Sequence, residues 1–259
     1  MIQLYDYKTS NITNYSPKSI DGTVNIIAYN NNSVDKFNIC DLRFYLVLDT
    51  LKRVLAYNKY KFFDTLIVNN KDYSNFELLN KFEISKCKNI IKKYEIDTNY
   101  FCDILIHNNS HTNYPIICDR KIYSNSIKNF NAISLDNLIN DYNFDYYDIK
   151  FYLLQYHYST EIIFDLDELQ NSKNKLNELR NAIKLNKNVQ TKFSIDDVAK
   201  LTYYSIKFTS FINYNLDIPK AINLLFTMLN EMPHSEDVYE LIMHFDEVLG
   251  LNLCKLWKI

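Results

Sequence analysis

Glycine is almost missing from this chain, which holds two in 259 residues, Gly22 and Gly250. Loops that cradle phosphate usually rely on glycine for close backbone approach and positive φ, so a glycine-rich nucleotide loop is excluded. Tryptophan occurs once and proline four times. Neither sign of charge dominates. With 29 Lys and Arg against 31 Asp and Glu the formal charge is −2, which supplies no general attraction for nucleic acid. No apolar run approaches the ~20 residues needed to cross a bilayer, so no membrane segment is expected. The opening Met1–Ser10 carries charges and lacks the apolar stretch of a secretory signal. Five cysteines (Cys40, Cys87, Cys102, Cys118 and Cys254) form no CxxC pair. Reduced thiols in a cytoplasmic protein are therefore the expectation.

What is present suits a globular protein with a sizeable core: 47% of the residues are hydrophobic. Val24–Tyr29 is β-branched and apolar behind the turn signal Asp21-Gly22, and predicts a buried strand. A polar loop runs from Asn30 to Asn38. Leu42–Leu55 then predicts a helix, with Leu48, Leu51 and Leu55 on one face and Asp49, Lys52 and Arg53 off it. Strand, loop and helix in this order form the opening unit of a nucleotide-binding α/β domain, where phosphates sit on loop N–H groups and the positive end of the helix. Elsewhere Ile2–Tyr7, Phe62–Val68, Cys102–Ile106 and Tyr114–Cys118 read as strands, and Asn11–Lys18 as a polar connector. Phe76–Tyr94 reads as a helix whose interleaved lysines are a solvated face. From Asp165 onward the pattern is helical: Asp167–Leu185, Ile195–Asn213, a helix opening at Pro219, and Glu236–Leu249 closed by Gly250.

The segment Ser33–Phe44, followed by Leu48-Asp49 and Arg53-Val54-Leu55, resembles the first signature region of cysteinyl-tRNA synthetases. Arg43, Asp49, Arg53 and Leu55 stand on their counterparts, and Asn38-Ile39-Cys40-Asp41 stands where the family has His-Ile-Gly-His. Arg120–Phe130 resembles the second class I signature, Lys-Met-Ser-Lys-Ser with Leu-Gly-Asn-Phe. Ser124, Ser126, Asn129 and Phe130 match, while Ile122 and Asn125 replace the two lysines. Ser134–Tyr142, Phe151–Leu154 with His157–Ser159, Asn215–Phe226 and Phe245–Leu251 resemble later islands of the family. The resemblance implies a truncated Rossmann-like α/β domain of the class I synthetase (HUP) type over residues 1–158, with a parallel sheet. An all-α helical bundle follows over 159–259. It further implies that the family's connective insertion and anticodon-binding end are absent.

The same resemblance marks Tyr29, Asn38, Asp41, Ser124, Asn125 and Ser126 as vestigial nucleotide-site positions with no catalytic residue among them. Asn38 retains one hydrogen bond to offer, while Asp41 puts a negative charge beside a triphosphate. Two like charges at ~4 Å cost about 4 kcal/mol at an effective dielectric of 20. Each lost electrostatic donor typically costs ~10²–10³ in rate. Tyr29 holds the position of the first zinc ligand, and the segment carrying the others is missing, so neither a metal nor another cofactor is expected. A substitute site from Cys102, His107, His111 and Cys118 is weaker than the alternative of surface histidines near unrelated thiols. The aromatic run Tyr142–Tyr158 serves either core packing, the preferred use, or base stacking. Removing domains uncovers surface, and Leu251, Leu253, Leu256, Trp257 and Ile259 end the chain with little charge. The expected role is a catalytically inactive synthetase-like protein turned to protein binding or structure. Leu253, Leu256, Trp257 and Ile259 are its candidate interface, with a protein partner or a second copy on the other side. The rivals are a tRNA-binding remnant and a divergent ATP-dependent ligase.

Overall fold

A computed structural model describes residues 1–6, 8–30, 37–68, 76–92, 100–108, 116–129 and 134–254. The chain divides into two compact units, Met1–Tyr146 with Tyr158–Phe164, and Tyr147–His157 with Asp165–Ile259.

The first unit is built on a parallel sheet. β1 (Gln3–Asp6) and β2 (Asn11–Asn14) form an antiparallel hairpin, so part of the expected polar connector is strand. β3 (Val24–Tyr29), α1 (Ile39–Tyr57), β4 (Phe62–Val68), α2 (Phe76–Lys81) and β5 (Asn89–Lys92) follow, then β6 (Tyr100–His107) and β7 (Ile116–Tyr123). The five parallel strands lie in the order β5-β4-β3-β6-β7. β3 and β4 are apolar along most of their length because a parallel sheet is covered on both faces. The order reverses between β3 and β6, and the carboxyl ends of these two strands mark the switch point where such sheets hold ligands.

Two expectations in this unit need correcting. The helix predicted over Phe76–Tyr94 stops at Lys81, and Asn89–Lys92 is a strand pairing with β4. Glu83 adopts a left-handed backbone (φ 54°), and the Ile84 N–H returns to the Leu79 carbonyl, closing the helix. Ile90 and Ile91 keep helical spacing with Leu79 and Cys87, but their β-branched side chains suit the register opposite Leu66 and Ile67. On α1, Asp49 and Lys52 are buried rather than solvated. Lys52 Nζ lies 2.7 Å from the Asp64 carboxylate and donates to the Ser85 and Lys86 carbonyls. Asp49 accepts from both the N–H and hydroxyl of Ser85 and pairs with Arg53.

After β7 come β8 (Ile127–Lys128), α3 (Leu135–Asn140, capped by Ser134), α4 (Tyr146–Leu154) and β9 (Ile162–Ile163). β8 and β9 pair in parallel. This pairing is why Tyr158–Phe164 goes with the first unit, past the boundary expected at 158.

The second unit is helical: most of α4, then α5 (Leu166–Lys184), α6 (Ile195–Asn213), α7 (Ile218–Glu231) and α8 (Glu236–Leu249). Phe208 and Phe245 stack at its centre, ring centroids 3.9 Å apart. Gly250 closes α8 in the left-handed region (φ 59°), the conformation expected at that position. The segment after it turns inward. The Asp246 carboxylate accepts the N–H groups of Leu251 and Leu253, and Arg180 donates to the Leu251 carbonyl. Leu253 is 2% exposed. It is therefore core of its own unit and not the surface anchor expected of it. Leu256, Trp257 and Ile259 lie outside the described residues. Within the aromatic run, Phe144, Tyr147 and Tyr152 are buried, which places them in packing rather than on a stacking platform. Among the described residues no helix is long and apolar enough to cross a membrane.

Candidate functional site

The carboxyl ends of β3 and β6 carry Asn30 and Asn108, and the amino end of α1 stands over them. Asn38 is the N-cap of α1. Its side-chain oxygen accepts from the N–H groups of Cys40 (2.8 Å) and Asp41 (3.1 Å). Asp41, in the first turn, returns the bond by accepting from the Asn38 N–H at 3.0 Å, completing a capping box. The other Asp41 oxygen accepts from Asn30 Nδ2 at 3.2 Å, and Asn30 Oδ1 accepts from Asn108 Nδ2 at 2.6 Å. Asn30 and Asp41 are buried. A chain of amides thus ties β6 to β3 and β3 to α1 across the switch point.

The Asn38 side-chain carbonyl thus serves the helix, and the first-turn N–H groups of Cys40 and Asp41 are satisfied within the protein. Asp41 is held in the cap by two donors and packed at the sheet end. Tyr29, one residue before Asn30, is 1% exposed and packs with Ile27, Ile67, Cys102 and Leu105.

The second signature-like segment meets the first through Arg43. This buried guanidinium donates from Nη1 to the carbonyls of Asn125 (3.0 Å) and Ser126 (3.2 Å), and from Nη2 to that of Thr160 (2.6 Å). Cys40 adds a thiol bond to the Ile127 carbonyl at 3.6 Å. Residues 120–123, the start of the second signature-like segment, are the end of β7. Ser124 continues from it with its N–H on the His107 carbonyl. Asn125 bonds Tyr158 and Ser159, and Ser126 bonds Glu161, which also pairs with Lys128. Ser124 is thereby fastened to the end of β6, and Asn125 and Ser126 to the segment leading into β9. The fold brings all six expected positions to one end of the sheet or its core. Arg43, Asn30 and Asn108 are the organising residues that sequence reading left without a role. The Asn-x-x-Asp spacing of 38–41 signals a capping box, but Asn30 and Asn108 meet only once the strand order is known.

His107 packs its ring against Tyr123 with centroids 5.3 Å apart, and His111 lies outside the described residues. Among the described residues no group of three or more His, Cys, Asp or Glu is placed to hold a metal ion.

No protein-family model matches the chain. Over 148 residues it is 28% identical to a cysteine–tRNA ligase of Protochlamydia amoebophila (strain UWE25), covering 52% of this chain and 30% of that protein. It also superposes on a crystal structure assigned to an arginyl-tRNA synthetase of Campylobacter jejuni, with a TM-score of 0.50 over 92% of each chain at 12% identity. The chain is aminoacyl-tRNA synthetase-like. The structural likeness concerns the fold alone, a Rossmann-like α/β unit with a helical region. The chain spans less than a third of the length of the ligase it matches.

Proposed function

We propose that this chain is a cysteinyl-tRNA synthetase-like protein without adenylating activity, used to bind protein. The observation that supports the first half is the closed amino end of α1. Its first-turn N–H groups are bonded to Asn38, and the Asp41 carboxylate sits where a triphosphate would need positive potential. A like charge at ~4 Å opposes phosphate by about 4 kcal/mol at an effective dielectric of 20. Ile122 and Asn125 stand where the resemblance places the lysines of the second signature, and Ile122 is buried. Calorimetry with ATP and magnesium is expected to show no binding. A micromolar Kd would overturn the reading and restore the divergent ATP-dependent ligase.

For the protein contact, α6 is a better surface than the tail. Ile195 is 88% exposed and Ile206 64%, with Val198 and Tyr203 also outside. They recur at helical spacing, and exposed apolar stripes of this kind on soluble proteins mark contact sites. The occupant that fits is a second copy. An antiparallel pair of α6 helices centred on Thr202 sets Val198 against Ile206. It also sets the acidic first turn, Asp196 and Asp197, against Lys207. Light scattering on the full chain is expected to give a dimer that Val198→Glu with Ile206→Glu dissociates. A chain that stays monomeric at high concentration and binds tRNA at physiological salt would replace this reading with the RNA-binding remnant.

A further inference from the structure

Cys102 on β6 and Cys118 on β7 are direct partners in the parallel register. Adjacent strands lie ~4.8 Å apart, which puts paired Cα atoms inside the ~4.4–6.8 Å span that a disulfide tolerates. Both side chains face the cluster of Ile27, Tyr29, Ile67 and Leu105. Cys102 is buried and Cys118 is partly open.

The two sulfurs are chemically unlike. The two thiols influence each other across the strand pair. Interaction with Cys118, then burial, pushes Cys102 above the usual thiol range. Interaction with Cys102 draws Cys118 down to about 7 against the pull of its own burial, with Lys121 and Lys8 assisting. Burial instead raises Cys40, and it raises Cys87 to about 12. A partly open thiolate beside a protonated neighbour is the layout of an attacking and a resolving cysteine.

We propose that Cys102 and Cys118 form a peroxide-sensitive dithiol that closes to a reversible disulfide between β6 and β7. In the first step the Cys118 thiolate attacks a hydroperoxide. The S–O bond forms, the O–O bond breaks, sulfur is oxidised to the sulfenic acid, and the leaving oxygen takes a proton to become water or an alcohol. Sulfenic acid formation removes the thiolate charge that kept Cys102 protonated. In the second step Cys102 sulfur attacks Cys118 sulfur. The S–S bond forms, the S–O bond breaks, and hydroxide leaves with the Cys102 proton as water. The sum is two thiols and one peroxide to one disulfide and two molecules of water or one each of water and alcohol. Paired side chains on parallel strands stand side by side, so their Cβ atoms do not converge to the ~3.8 Å that disulfides prefer. The bond is accordingly strained and easily reduced. β7 ends the sheet order.

The test treats the full chain with one equivalent of hydrogen peroxide at neutral pH, then alkylates and digests with trypsin. Both cysteines fall in the peptide Tyr94–Arg120, which has no internal Lys or Arg. That peptide is expected unalkylated and about 2 Da lighter through loss of two hydrogens, with recovery by dithiothreitol. Cys102→Ser should stop at a sulfenic acid trapped by dimedone, and Cys118→Ser should leave Cys102 reduced. The proposal is overturned if the wild-type peptide still takes two alkyl groups. It is equally overturned if Cys118 passes to the sulfinic acid with Cys102 free, or if the loss falls on Cys40, Cys87 or Cys254.

Discussion

Two helices of this protein begin with the same device and differ in what it does. α1 opens on the Asn38–Asp41 capping box and α6 on the Ser194–Asp197 box, each with a reciprocal pair of bonds between N-cap and third residue. The α6 box is exposed, and its bonds stay within its own turn, with the charge of Lys200 three residues past Asp197 as a minor influence. The α1 box is packed at the switch point of the sheet. Asp41 reaches back to Asn30, and Asn30 to Asn108. A cap is a local solution to unpaired N–H groups. Its functional meaning comes from where the fold puts the helix end. On α6 it is ordinary helix chemistry, and on α1 it binds the N–H groups of Cys40 and Asp41 at the switch point of the sheet.

The sharpest way to break this comparison is at Arg43, two residues past Asp41, because α6 has no equivalent buried cation. Arg43→Met removes donors from three carbonyls, those of Asn125, Ser126 and Thr160. Bonds to a charged group contribute ~1.5–3 kcal/mol each and are not additive, so a loss of about 3–5 kcal/mol is expected. Urea unfolding followed by circular dichroism measures it. A loss near zero would mean that the first turn of α1 is not wired to the 124–126 segment.

Next in size are the boxes themselves. Asp41→Ala strips acceptors from Asn38 N–H and from buried Asn30 Nδ2, and should cost about 2–3 kcal/mol. Ser194→Ala removes an exposed cap and should cost about 1 kcal/mol. Equal losses for the two substitutions would erase the distinction between a cap that also joins strands and one that serves its own helix.

How much of this was legible beforehand follows from the range of each interaction. The bounds of β3, β4, α6 and α8 and the stop at Gly250 follow from neighbours a few residues away, and sequence carries those directly. Asn89–Lys92 was misread because Leu79, Cys87, Ile90 and Ile91 satisfy helical spacing. What decides against a helix is the non-local register with β4. Asp49 and Lys52 read as solvent-facing because their partners, Ser85 and Asp64, lie 36 and 12 residues away. The tail illustrates the same limit: Leu253 is apolar in any reading, and its burial depends on Asp246 and Arg180 turning the chain inward. At the candidate site the positions were found by resemblance, but the direction of the Asn38 bonds required the cap geometry.

The smallest effect expected is also the cleanest test of the exposed box. The Asp197 carboxyl is held below its ordinary value of 3.8, first by the Ser194 hydroxyl, then by the Ser194 backbone N–H, with Lys200 a minor contributor. A depressed folded-state value means that the bond stabilises the helix above about pH 4, where the unfolded carboxyl is ionised, and that this support fades as pH falls through the lower folded value. Ser194→Ala removes the hydroxyl and leaves the N–H, so the Asp197 value should rise towards 3.8 without reaching it. Carboxyl-carbon NMR across pH 2–6 reads the change. Because hydrogen bonds outweigh the Lys200 charge, raising the ionic strength to ~1 M should leave most of the depression in the parent protein. If salt abolishes it, or if Ser194→Ala leaves it unchanged, the exposed box is an ion-pair effect and no longer the counterpart of the one on α1.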